Sequence, residues 1–132
     1  MHAQPGLRRS ATGLLLTACL GGGTLIALHT ASADAAGQTL HLSADAHGKM
    51  RFNTNRLTAH RGRVTVVMVN PKSAGMPHGI AVEGHRVDTD GKIVGPGGTS
   101  RVTVTLKKGT YEFYCPVMGH KAAGMEGKLI VR

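Results

Sequence analysis

Arg101-Val102-Thr103-Val104-Thr105-Leu106-Lys107-Lys108-Gly109-Thr110-Tyr111-Glu112-Phe113-Tyr114-Cys115 is the stretch that decides how this chain folds. Val102, Val104 and Leu106 fall on one side of a period-2 pattern, with Arg and Thr on the other, which is the signature of a strand with one buried face. Lys107-Lys108-Gly109-Thr110 reads as a hairpin turn. Tyr111 and Phe113 then resume the alternation, and in that phase Cys115 points inward with them. A lone inward thiol at a strand end, just before a loop, is well placed to bind a metal at the edge of a core.

The same reading extends in both directions. Upstream, Thr39-Leu40-His41-Leu42-Ser43 alternates, and a turn at Ala46-His47-Gly48-Lys49 leads to Met50-Arg51-Phe52. Arg63-Val64-Thr65-Val66-Val67-Met68-Val69 is the most apolar strand and ends at Asn70-Pro71. His78-Gly79-Ile80-Ala81-Val82 is the next, and downstream residues 127–132 form the last. Residues 53–62 have room for a helical turn, and residues 84–98, rich in Gly and Asp, read as a long connection. About seven or eight short strands with turn signals between them predict an all-β sandwich.

Composition narrows the function. The chain has 132 residues, enough for one domain, with 16 Lys and Arg against 7 Asp and Glu for a formal charge of +9. The cations are scattered, with no run longer than the pairs Arg8-Arg9 and Lys107-Lys108, so a nucleic-acid footprint is not expected. A basic surface for acidic proteins or anionic membranes stays open. Two cysteines, Cys19 and Cys115, exclude a multi-disulfide scaffold and any C-x-x-C site. There is no phosphate-binding Walker loop and no G-x-S-x-G elbow.

Residues 1–35 read as an export signal. Arg8 and Arg9 precede an apolar stretch from Ala11 to Leu28, and Ala31-Ser32-Ala33 and Ala33-Asp34-Ala35 supply small-residue cleavage sites. Leu16-Thr17-Ala18-Cys19 also resembles a lipobox, so Cys19 is either a lipid attachment point or part of a discarded signal. An uncleaved membrane anchor is the third reading, weakened by Gly21-Gly22-Gly23. The folded domain is expected over residues 36–132, exported to a periplasmic, extracellular or membrane-tethered location, still basic and left with Cys115 alone.

The chemistry is concentrated in Tyr114-Cys115-Pro116-Val117-Met118-Gly119-His120-Lys121-Ala122-Ala123-Gly124-Met125, whose skeleton is C-x4-H-x4-M. A thiolate, an imidazole and a thioether in one loop suit copper, which such soft and borderline ligands hold in both of its common oxidation states. A trigonal His₂Cys site needs a second imidazole, and His78, after Met76-Pro77 at a strand start, is the best candidate. His41, His47, His60 and His85 fall in a strand, a turn and connections and need no metal role, with His85 the substitute if His78 fails.

On Pro77-His78, Tyr114-Cys115-Pro116, Gly119-His120 and Ala123-Gly124-Met125-Glu126-Gly127, residues 38–132 resemble the small blue-copper proteins, cupredoxins of the plastocyanin and azurin type. The resemblance implies a Greek-key β-sandwich, one mononuclear type 1 copper and one-electron transfer. It makes His78, Cys115 and His120 the equatorial ligands and Met125 the axial one. It also implies that His120 shows its ring edge near solvent, within an apolar patch of Pro77, Pro116, Val117, Met118, Ala122 and Ala123. Lys121 and other cations would steer an acidic redox partner to a monomer. Two positions depart from the pattern: Gly79 stands where many relatives have an Asn that ties the ligand loops together, and Met118 where they often have Pro. A copper carrier that delivers metal to another exported protein would use the same ligands. A copper-free interaction module is a third reading. An enzyme is not expected, since a binuclear centre needs a second Cys in the loop and position 119 is Gly.

Overall fold

The structure, a computed structural model, describes residues 37–132, and the expectations for residues 1–35, Cys19 included, lie outside the described residues. Eight strands form among the described residues: β1 Gln38–Ser43, β2 Arg56–Ala59, β3 Gly62–Val69, β4 Ala81–Gly84, β5 Val87–Asp90, β6 Thr99–Leu106, β7 Gly109–Tyr114 and β8 Glu126–Val131. They make a three-stranded sheet in the order β1-β3-β6 and a five-stranded sheet in the order β2-β8-β7-β4-β5. The expected all-β sandwich is therefore what folds. No helix among the described residues is long and apolar enough to cross a membrane.

Alternation explains how the two sheets face each other. Along β6 every second residue is buried, and Val102, Val104 and Leu106 meet Val64, Val66 and Met68 of β3 on the same face. The opposite wall is built from Val82, Tyr111, Phe113, Leu129 and Val131. Burying each of these side chains stabilises the fold by roughly 1.5–3 kcal/mol. Phe52, held beside β1 by an isolated bridge to Ala44, packs its ring 5.7 Å from that of Phe113.

Three local expectations are corrected. Lys107-Lys108-Gly109-Thr110 is not a hairpin turn. β6 pairs with β3, β7 pairs with β8 and β4, and the segment carries the chain from one sheet to the other. Both strands present apolar residues to the same interior, so they close it from opposite sides. The Tyr111 hydroxyl ties the crossing by donating to the Lys107 carbonyl (3.0 Å) and accepting from the Lys107 N–H (3.1 Å).

Residues 53–62 hold no helical turn. β2 is an edge strand parallel to β8, secured by bonds from the N–H groups of Lys128 and Arg132 to the carbonyls of Asn55 (2.9 Å) and Ala59 (3.0 Å). Residues 84–98 are not a plain connection, because β5 folds back on β4 through His85 and Arg86. Both have positive φ, 48° and 71°, the conformation of a primed hairpin turn that Asn and Gly usually supply. The His85 ring, edge-on to Tyr111 at 5.1 Å, compensates for that strain.

The first long turn is pinned by Asp45. Its carboxylate accepts from the His47 N–H (2.8 Å), the Arg51 Nε (2.9 Å) and the Lys49 N–H (3.4 Å). The His47 amide, then the Arg51 side chain, hold the Asp45 carboxyl down to about 2 from an ordinary 3.8. A carboxylate with a depressed folded-state pKa stabilises the fold above its unfolded value, and that contribution disappears as pH falls through the folded value. Unfolding free energy is thus expected to fall between about pH 4 and pH 2. Denaturant titration at several pH values should show a shallower fall in Asp45→Asn, and equal slopes would contradict the assignment.

Candidate metal centre

Three strand ends converge on the candidate residues. Cys115 directly follows β7 and is fully buried, in phase with Tyr111 and Phe113 as its alternation requires. His78 precedes β4 and is also fully buried. Its backbone is fixed on both sides by Val94, which accepts from the His78 N–H (3.0 Å) and donates to the His78 carbonyl (2.8 Å). His120 sits in the loop between β7 and β8, half-buried.

That loop is compact. His120 N–H donates to the Val117 carbonyl, Ala123 N–H to those of Gly119 and His120, and Gly124 N–H to that of Lys121. Gly119 and Gly124 take φ of 84° and 98°, which lets the chain curl without a Cβ penalty. The loop is closed at its foot by Met125, whose carbonyl accepts from the Cys115 N–H and whose N–H donates to the His120 carbonyl, each at 3.0 Å. Met125 is fully buried there.

The ligand atoms of His78, Cys115 and His120 all lie within 4.8 Å of one another. Cys115 Sγ is 3.8 Å from His78 Nδ1 and 3.5 Å from His120 Nδ1, and the two rings are tilted by 55° with centroids 5.1 Å apart. A first-row metal with N and S bonds of about 2.0 and 2.3 Å at trigonal angles needs N···S spans of roughly 3.7 Å. The two sulfur-to-nitrogen spans match such an ion. Burial, then the nearby charge of His120, holds His78 below its ordinary pKa, which keeps its imidazole neutral and its lone pair available. The Gly79 N–H donates to Cys115 Sγ at 3.4 Å.

The other described histidines stay apart. His41, His47 and His60 are exposed, and His85 rests on Tyr111 in the β4–β5 turn, so it does not substitute for His78. Around His120, Pro77, Met118, Ala122 and Ala123 are exposed and Pro116 and Val117 half-buried. Met118 is the extreme at 97% exposed. Lys121 is not available for steering as expected, because Glu83 and Glu112 already bind it.

Two features take their reason from the structure. Asn70 reads as a strand end before Pro71, yet it is fully buried and donates its Nδ2 to the carbonyls of Met76 (2.9 Å) and Val94 (3.0 Å). It therefore ties down the segment that leads into His78. Gly79 also gains a reason. A Cβ there would lie 3.1 Å from Pro116 Cγ, so a larger residue would push against the ligand loop.

Comparisons with known proteins agree with this geometry. The family model for copper binding proteins, plastocyanin/azurin family, matches residues 38–132. Auracyanin B is 22% identical, with a TM-score of 0.63 over 72% of this chain and 88% of its own. The dithionite-reduced auracyanin of the photosynthetic bacterium Roseiflexus castenholzii is 24% identical, with a TM-score of 0.64 over 74% of this chain and 98% of its own. Auracyanin A, a "blue" copper protein from the green thermophilic photosynthetic bacterium Chloroflexus aurantiacus, is 20% identical, with a TM-score of 0.61 over 74% of this chain and 100% of its own. At such identities the likeness is one of fold. No curated protein matches the sequence. With the family model spanning nearly all of the described domain and the donor triangle sized for a first-row ion, the chain belongs to the plastocyanin/azurin family of copper-binding proteins, and copper is its metal.

Proposed function

We propose that this protein is an exported carrier of single electrons, with His78, Cys115 and His120 as equatorial copper ligands, Met125 as the axial ligand, residues 1–35 as the export segment and residues 36–132 as the working domain. The observation that carries the reading is the triangle of Cys115 Sγ and two histidine Nδ1 atoms, with sulfur-to-nitrogen spans of 3.5 and 3.8 Å. When bound, copper supplies a centre that takes up and gives back one electron. The chain's own part is to hold the donors still. Val94 fixes His78, Met125 closes the loop on Cys115, and Gly79 bonds the sulfur, so the donors have little freedom to follow a change in metal charge. Little reorganisation favours rapid electron exchange over binding and transforming a substrate.

Partner docking is assigned to the apolar rim of Pro77, Met118, Ala122 and Ala123, from which His120 is half-exposed. The exposed Lys72 and Lys92, on the segments flanking His78, take the steering role for an acidic redox partner. The discriminating experiment pairs two assays on the copper-loaded protein. Reduction of a redox acceptor much faster than by free copper, with no metal passed to an apo acceptor protein, is the expected outcome. Metal transfer without accelerated electron transfer would replace the carrier of electrons with a carrier of copper.

A further inference from the structure

Glu83 of β4 and Glu112 of β7 stand directly opposite each other across the sheet. Two carboxylates so placed repel and destabilise the pairing unless a cation bridges them. Lys128, opposite Glu112 on β8, reaches it only at 3.6 Å and is largely exposed. The bridge comes from the ligand loop instead. Lys121 Nζ donates to Glu83 Oε1, lies 2.9 Å from Glu112 Oε2, and sits 4.2 Å above the centre of the Tyr114 ring. All three partners are half-buried. The Lys121 hydrogen bond, above all, draws the Glu112 carboxyl down to about 2, and the two carboxylates hold the Lys121 amine well above its ordinary value.

Lys121 is next to His120. Among the described residues, the other hydrogen bonds of the 116–124 segment are backbone bonds within the loop, one from the Glu126 N–H of β8 to the Gly124 carbonyl (2.9 Å), and the contact of His120 with Cys115. Gly79 supplies no side chain to lash the segment to the His78 side. We propose that Lys121 is a positioning residue: its ion pairs to Glu83 and Glu112 clamp the 116–125 loop onto the outer face of β4 and β7 and hold His120 at the metal position before metal arrives. The role of His120 in this inference rests on the ligand assignment above. The clamp itself does not.

The test uses the full chain. In the metal-free protein, amide hydrogen exchange over residues 117–124 is expected to run about tenfold faster in Lys121→Met, with β3 and β6 unchanged, while Lys121→Arg stays near wild type. The paired variant Glu83→Gln/Glu112→Gln should loosen the same segment, and adding Lys121→Met to it should change little more. Copper release to an excess of chelator should quicken by a similar factor in each loosened variant. Unchanged exchange in the loop, or an equal rise throughout the domain, would overturn the clamp. Faster loop exchange with unaltered copper release would overturn its action on His120. If the wild-type chain takes up no copper while the exchange pattern appears as expected, the ligand assignment falls and the clamp stands.

Discussion

Cys115→Ser is expected to abolish the intense visible band of the copper-loaded protein and to weaken copper binding by more than about a hundredfold. The band arises from charge transfer between a thiolate and Cu(II), and Cys115 supplies the sulfur of the donor triangle with His78 and His120. A serine hydroxyl has nearly the same shape but is a hard, neutral donor. The fold itself should survive, because the Gly79 N–H that now faces the sulfur at 3.4 Å is positioned to bond the hydroxyl. Absorption and EPR spectra after Cu(II) loading check the expectation. A variant that keeps the band, or a copper-loaded wild type that is colourless with its thiol intact, would refute the assignment of Cys115.

Gly127→Ala has the largest expected effect on stability, although only a single methyl is added. Gly127 lies opposite Phe113 in the β7–β8 pairing. A Cβ at this position would run into the tip of the Phe113 ring and lie 2.6 Å from the carbonyl oxygen of Asn55. Neither neighbour has anywhere to go. Phe113 is fully buried, and the Asn55 carbonyl accepts from Lys128 N–H at 2.9 Å, the bond that starts the β2–β8 ladder. Overpacking against such walls costs about 3 kcal/mol. For a domain of this size that is a fall of roughly 12–24 °C in Tm. Thermal unfolding measures it, and a change of only a few degrees would mean that β2 yields more easily than its bonds imply.

What the sequence makes legible is what depends on near neighbours. The period-2 burial of Val102, Val104 and Leu106 shows in the letters themselves, and so does the phase that turns Cys115 inward after Tyr111 and Phe113. The short loop from Cys115 to Met125 likewise carries its donors in one readable segment. What fails is whatever depends on partners far along the chain. Lys107-Lys108-Gly109 has the look of a hairpin turn, but whether β6 and β7 pair with each other is decided by β3 and β8. β2 is a strand only because β8 offers it an edge, and β5 turns back through His85 and Arg86, residues that give no turn signal. Lys121 looks like a free surface cation until β4 and β7 are adjacent and set Glu83 against Glu112. The burial of Asn70 is hidden for the same reason.

β8 is the last of the described strands and an interior strand of its sheet, flanked by β7 on one side and β2 on the other. During synthesis residues 126–131 emerge after the other described strands, and until they do β2 lacks its β8 partner and Cys115 and His120 lie on an unclosed end. A stable copper site is therefore expected only once β8 is in place, so metal loading should follow folding of the whole domain.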